Sequence, residues 1–102
     1  MNVFWTRTAE ITYAEEIDFI RKKWNEKQVI LFVNLVEDFI SILKTGVLIG
    51  RPYKIENVRI SVISKQTTLV YKVYEKQNRI DLLLFWNNKK DPREFNKFLK
   101  QV

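Results

Sequence analysis

Three runs in the second half of the chain decide the fold: Val58-Arg59-Ile60-Ser61-Val62-Ile63, Leu69-Val70-Tyr71-Lys72-Val73-Tyr74 and Ile80-Asp81-Leu82-Leu83-Leu84-Phe85-Trp86-Asn87. In the first, Val58, Ile60 and Val62 alternate with Arg59, Ser61 and Ile63; in the second, Leu69, Tyr71 and Val73 alternate with Val70, Lys72 and Tyr74. A repeat of two is that of a strand. The connectors Ser64-Lys65-Gln66 and Lys76-Gln77-Asn78 are too short for a crossover, so the runs pair as an antiparallel meander. In the third run Ile80, Leu82, Leu84 and Trp86 alternate with Asp81, Leu83, Phe85 and Asn87. Both sets are largely apolar, which predicts a strand inside the sheet.

The period changes on either side. Upstream, Val3-Phe4-Trp5-Thr6 reads as a short opening strand. Tyr13, Ile17, Ile20 and Trp24 follow at helical spacing, with Thr8 or Thr12 as the start and Arg21-Lys22-Lys23 at the end. Asn25 caps a second helix with Gln28 at its N3 position. Val29, Phe32, Val33, Val36, Phe39, Ile40 and Leu43 give it a buried face, and Gly46 fits the position just past its end. The two helices read as an αα-hairpin. Downstream, Asp91-Pro92-Arg93-Glu94 is a helix start, and Phe95, Phe98 and Leu99 form one apolar face. The order is β-α-α-β-β-β-α. This is an α+β class, a helical hairpin packed on a mainly antiparallel four-stranded sheet. Residues 1–102 are read as a single domain.

Leu31, Leu35 and Ile42 make a second apolar row on the second helix, interrupted only by Asp38. The row either packs on the first helix or forms a groove for a partner's helix or strand.

Composition excludes much chemistry. With no Cys and no His, there is no disulfide, no thiol nucleophile, no thiolate or histidine metal site and no histidine acid–base catalysis. No metal or cofactor is expected. The longest uncharged stretch, residues 28–36, is too short for a membrane span. Arg7 and Glu10 interrupt the N-terminus before an apolar leader can form, so a cytoplasmic protein is expected. The charge is lopsided. Residues 1–50 carry 6 Lys+Arg and 7 Asp+Glu, whereas residues 51–102 carry 12 and 5. Such an asymmetry points to a polyanion partner, nucleic acid first, or simply to a solubilising surface.

The element order, length and charge resemble the RelE/ParE toxin superfamily of bacterial type II toxin–antitoxin systems. Val3-Phe4-Trp5-Thr6 with Ala9, Leu69-Val70-Tyr71-Lys72-Val73, and Leu83-Leu84-Phe85-Trp86-Asn87-Asn88-Lys89-Lys90-Asp91-Pro92 carry the resemblance. It implies a toxin neutralised by a cognate antitoxin that wraps its helices and sheet edge, with Leu31, Leu35 and Ile42 as antitoxin contacts. It also implies one of two targets, the ribosome with its mRNA or DNA gyrase; a third reading is an inactive relative that only binds antitoxin. Lys89 stands where one branch usually has Arg. Some ribosome-dependent members use a histidine where this chain has Trp86-Asn87-Asn88.

Metal-independent RNA cleavage needs a base, an acid and cations around the phosphate. Lys54, Arg59 and Arg79 are the candidate catalytic residues, and the resemblance places phosphate-binding cations in the segment holding Arg51 and Lys54. Arg51, Lys65, Lys89 and Lys90 are the candidate nucleic-acid contacts. Tyr71 and Trp86 are read either as base-stacking platforms or as core residues. On the toxin reading as a whole, the cations of the C-terminal half are expected to gather on one solvent-facing concavity.

Overall fold

In the computed structural model, which describes residues 1–100, one helical hairpin covers one face of a five-stranded sheet and a short C-terminal helix covers part of the other. The elements are β1 (Asn2–Trp5), α1 (Arg7–Lys23), α2 (Glu26–Lys44), β2 (Arg51–Pro52), β3 (Val58–Val62), β4 (Thr67–Tyr74), β5 (Arg79–Asn87) and α3 (Pro92–Leu99). The strands lie in the order β1-β5-β4-β3-β2. The meander β3-β4-β5 is antiparallel, as its short connectors require, and β5 is an interior strand. The α+β class matches the sequence reading, with two differences. The sheet is mixed, because β1 pairs parallel to β5, with Val3 opposite Ile80. It also gains β2, where Arg51 pairs with Ile60 and Pro52 with Arg59.

Alternation holds in β3 and β4 but shifts in β5. Val70 faces Leu84 while the next residue, Tyr71, faces Leu82, so Leu83 is the extra residue of a bulge. Ile80, Leu82 and Phe85 therefore belong to the core under the hairpin, and Leu83 and Leu84 to the core under α3. The expected grouping of Ile80 and Leu82 with Leu84 and Trp86 is corrected accordingly. The hairpin-side core joins Ala9, Ile20, Phe32, Val36, Phe39 and Leu43 to Leu69, Tyr71 and Val73. The other core joins Val58, Ile60, Val70 and Leu84 to Leu99.

Helix boundaries follow from caps. Thr6, not Thr8 or Thr12, starts α1. Its hydroxyl accepts from Ala9 N (3.1 Å) and donates to the Leu82 carbonyl (2.7 Å), so one side chain ends β1 and begins the helix. Thr12 lies inside the helix, where its hydroxyl accepts from Phe85 N at 3.0 Å. That amide faces the side of β5 along which β1 has already ended at Leu82. Asn25 accepts from Gln28 N (3.0 Å) and Asp91 from Arg93 N (2.9 Å), so both expected caps are formed. Gly46 follows α2 at φ +93°. Gly50 sits at φ +99°, and a Cβ there would lie 2.4 Å from the Ile60 carbonyl oxygen. Only glycine lets the chain turn into β2 at this distance. No helix among the described residues is long and apolar enough to cross a membrane.

Candidate functional site

The buried face of α2 is Val29, Phe32, Val36, Phe39 and Leu43; its second apolar row is left half-exposed. Leu31, Leu35 and Ile42 keep 47%, 46% and 41% of their surface exposed. Leu35 and Ile42, with Phe39, Ile49, Val62 and Ile63, line a shallow groove of about 200 Å³ between α2 and β3. Asp38 and Ser61 are its polar residues. Because β2 pairs only as far as Ile60, Ser61 and Val62 have no neighbouring strand on their outer side among the described residues. Val62 is 68% exposed. An apolar groove thus runs beside an open strand edge, a combination that suits strand addition with side-chain anchoring.

The candidate catalytic cations do not converge. Arg59 lies on the hairpin face of β3, opposite Tyr71, and donates Nη1–H to the Gly50 carbonyl at 3.3 Å. Arg79 lies near the start of β5 on the other face. Its guanidinium stacks 4.3 Å from the Tyr74 ring centroid, and Nε is 3.0 Å from Asp81 Oδ1 without the alignment of a hydrogen bond. Lys54 projects from the β2–β3 connection beside a cavity of about 400 Å³ lined by Tyr53, Ile55, Asn96, Leu99 and Lys100. Arg51 is exposed on the edge strand β2. The expectation of one cationic concavity is therefore corrected. Alternation along the paired strands sends Arg59 and Arg79 to opposite faces, and Asp81 counters the second charge.

Tyr71 is fully buried, so it packs in the core and is not a stacking platform. Its hydroxyl donates to the Ile49 carbonyl, its ring meets Phe39 edge-on at 6.1 Å, and burial pushes its pKa up. Trp86 is half-buried against Phe95, with Lys90 Nζ 5.6 Å from its ring.

The remaining candidates, Lys65 and Lys89, do meet. They line a cavity of about 390 Å³ together with Trp24, Gln66 and Asn88. Lys23 approaches from the end of α1, with Nζ 4.9 Å from the Trp24 ring. Contact with the Lys89 ammonium, then desolvation, pushes the Lys23 pKa down. Behind this cavity is a polar network that the sequence reading missed. Glu16, only 4% exposed, accepts from Thr67 Oγ1 (2.5 Å) and Asn87 Nδ2 (3.0 Å). Thr68 Oγ1 donates to Asn88 Oδ1, and Asn88 bonds the Gln66 and Lys65 carbonyls through its backbone and side-chain nitrogens. The Asn87 side chain accepts from Lys89 N at 2.9 Å. Lys23 and Trp24 were legible only as a helix end and an apolar face; Trp24 instead caps α1 and is 46% exposed.

No protein-family model and no curated protein matches the sequence. Solved structures do. A chain of a chromosomal ParDE TA system from P. aeruginosa superposes with a TM-score of 0.70 at 18% identity, over 85% of this chain and 95% of that one. A metal-bound toxin from Helicobacter pylori gives 0.64 at 12% identity, over 86% and 94%. A YoeB/ParE toxin from Agrobacterium tumefaciens gives 0.58 at 16%, over 86% and 99%. The likeness spans nearly the whole of each partner, and the fold of this chain is that of the RelE/ParE toxins.

Proposed function

We propose that this chain is the toxin of a type II toxin–antitoxin pair, neutralised in the cytoplasm by an antitoxin seated in the α2–β3 groove. The observation that carries the reading is the groove itself, where exposed Leu35 and Ile42 flank the open edge at Ser61 and Val62. The fold shared with a ParDE component and a YoeB/ParE toxin supports it. Co-expression with the product of an adjacent small reading frame is expected to yield a stable complex. Leu35→Asp with Ile42→Asp is expected to abolish co-purification while leaving the fold intact, because both side chains face solvent. Co-purification undiminished in the double variant removes the groove from the argument.

Once released, the toxin acts by binding its target and not by cutting RNA. The dispersal of Lys54, Arg59 and Arg79 supports this: transition-state stabilisation requires charges aimed at one phosphate. DNA gyrase, the target that the ParE resemblance implies, suits such an activity. Cleavage complexes should accumulate on supercoiled plasmid incubated with gyrase and the purified chain. A-site cuts in toeprints of translating ribosomes, lost in Lys54→Ala with Arg59→Ala, would restore the ribosome and its mRNA as the target.

A further inference from the structure

The cavity at the end of α1 is a second, separate feature, and it does not depend on the antitoxin groove. Lys65 and Lys89 stand in its wall with Trp24, and the Lys23 ammonium, 4.9 Å from the Trp24 ring, comes close to that of Lys89. Like charges held together are unfavourable unless an anion lies between them. None of these lysines has a carboxylate partner among the described residues. The acids nearby are engaged elsewhere: Asp18 and Glu26 by Arg21, Glu16 by Thr67 and Asn87, and Asp91 by Arg93. The walls are fixed. Asn88 ties the β5 end to the Gln66 and Lys65 carbonyls, Asn87 holds Lys89 N, and Phe19 meets the Trp24 indole edge-on at 6.3 Å. An exposed, braced indole beside paired cations offers a stacking surface next to a phosphate site.

We propose that this cavity holds one nucleotide unit of a single-stranded nucleic acid, its phosphate between Lys23 and Lys89 and its base on the Trp24 indole. The volume, about 390 Å³, is in the range of small-ligand pockets. The arriving phosphate draws the Lys23 ammonium from the ring and frees the indole face for the base. Lys65 meets the next phosphate of the strand. A duplex fits poorly, because its base faces are already stacked on one another. The site is distinct from Lys54, Arg59 and Arg79, and it requires no chemistry at the bound strand.

The test is fluorescence anisotropy of the full chain with a short labelled oligouridylate. Duplex RNA of equal length, uridine monophosphate and inorganic phosphate serve as competitors. Saturable binding is expected, with Trp24→Leu weakening it by about 5- to 160-fold through lost stacking. Lys23→Gln with Lys89→Gln is expected to flatten the dependence of log affinity on log salt by about 0.7, the share of the one strand phosphate held between them. All three substitutions are at the surface, and matching melting curves establish that the variants are folded. Equal binding of duplex and single strand overturns the proposal. So does competition by uridine monophosphate or phosphate at the same molar level as the strand, or wild-type affinity in both variants.

Discussion

Glu16→Leu removes a carboxylate that two side chains share inside the fold while keeping most of the volume it fills. Thr67 is fully buried and Asn87 is 4% exposed, so the Thr67 hydroxyl and the Asn87 amide lose their acceptor where water cannot replace it. Each orphaned group costs about 1–3 kcal/mol. Relief of burying a carboxylate offsets part of this. The net expectation lies near the low end of the summed range, about 2–3 kcal/mol, or a melting temperature lower by roughly 8–24 °C at about 4–8 °C per kcal/mol. Glu16→Gln keeps one acceptor for Asn87 and should fall between wild type and Glu16→Leu. Urea unfolding followed by tryptophan fluorescence gives the difference directly. A Glu16→Leu midpoint within about 0.5 kcal/mol of wild type would show that the network is not held by this carboxylate. Because Asn87 also accepts from Lys89 N, the same variant should weaken oligouridylate binding without touching the cavity wall.

Four further outcomes follow from the geometry. Tyr71→Phe leaves the Ile49 carbonyl without its donor and should cost about 1–2 kcal/mol in denaturant unfolding, with no change in nucleic-acid binding. Gly50→Ala brings a methyl against the Ile60 carbonyl at positive φ; a loss of about 1–3 kcal/mol is expected, and protection of the β2–β3 amides from hydrogen exchange should fall with it. Arg93 holds the Asp91 carboxyl below the ordinary carboxylate range, first through the side-chain and then the backbone hydrogen bond. Its stabilisation of the α3 start is therefore complete above the ordinary Asp pKa and lost as pH falls through the lowered value, so the gap in stability between wild type and Asp91→Asn should close in acid. Leu82→Ala, in a residue with no exposed surface, should cost about 2–5 kcal/mol in the same unfolding experiment.

The antiparallel meander, the helical hairpin and the α3 start were legible because each rests on a local signal: period two, period 3.6, and Asp-Pro with Glu94. The rest depended on distant partners. Arg51-Pro52 has no alternation and contains a proline, so only its neighbour Ile60 makes it a strand. The bulge at Leu83 sits in Leu82-Leu83-Leu84-Phe85, where every residue suits either face and no pattern marks the shift. Thr6 does not stand out from Thr8 and Thr12 in the sequence, because its second role, donation to the Leu82 carbonyl, spans 76 residues. At the candidate site, charge content was readable but charge placement was not. Arg59 and Arg79 sit on strands of known phase, yet their separation needs the order and register of the strands. Lys23 and Lys89 meet only because the α1 end lies over the β5 end.

The parallel pairing of β1 with β5 has a temporal meaning. Asn2 through Trp5 are made more than seventy residues before their partners, Arg79 through Leu82. Until then the opening strand has no neighbour, and Thr6 has no carbonyl to receive its hydroxyl. A nascent chain interrupted before residue 79 therefore cannot complete the layer beneath its hairpin, and folding is deferred until β5 has been made.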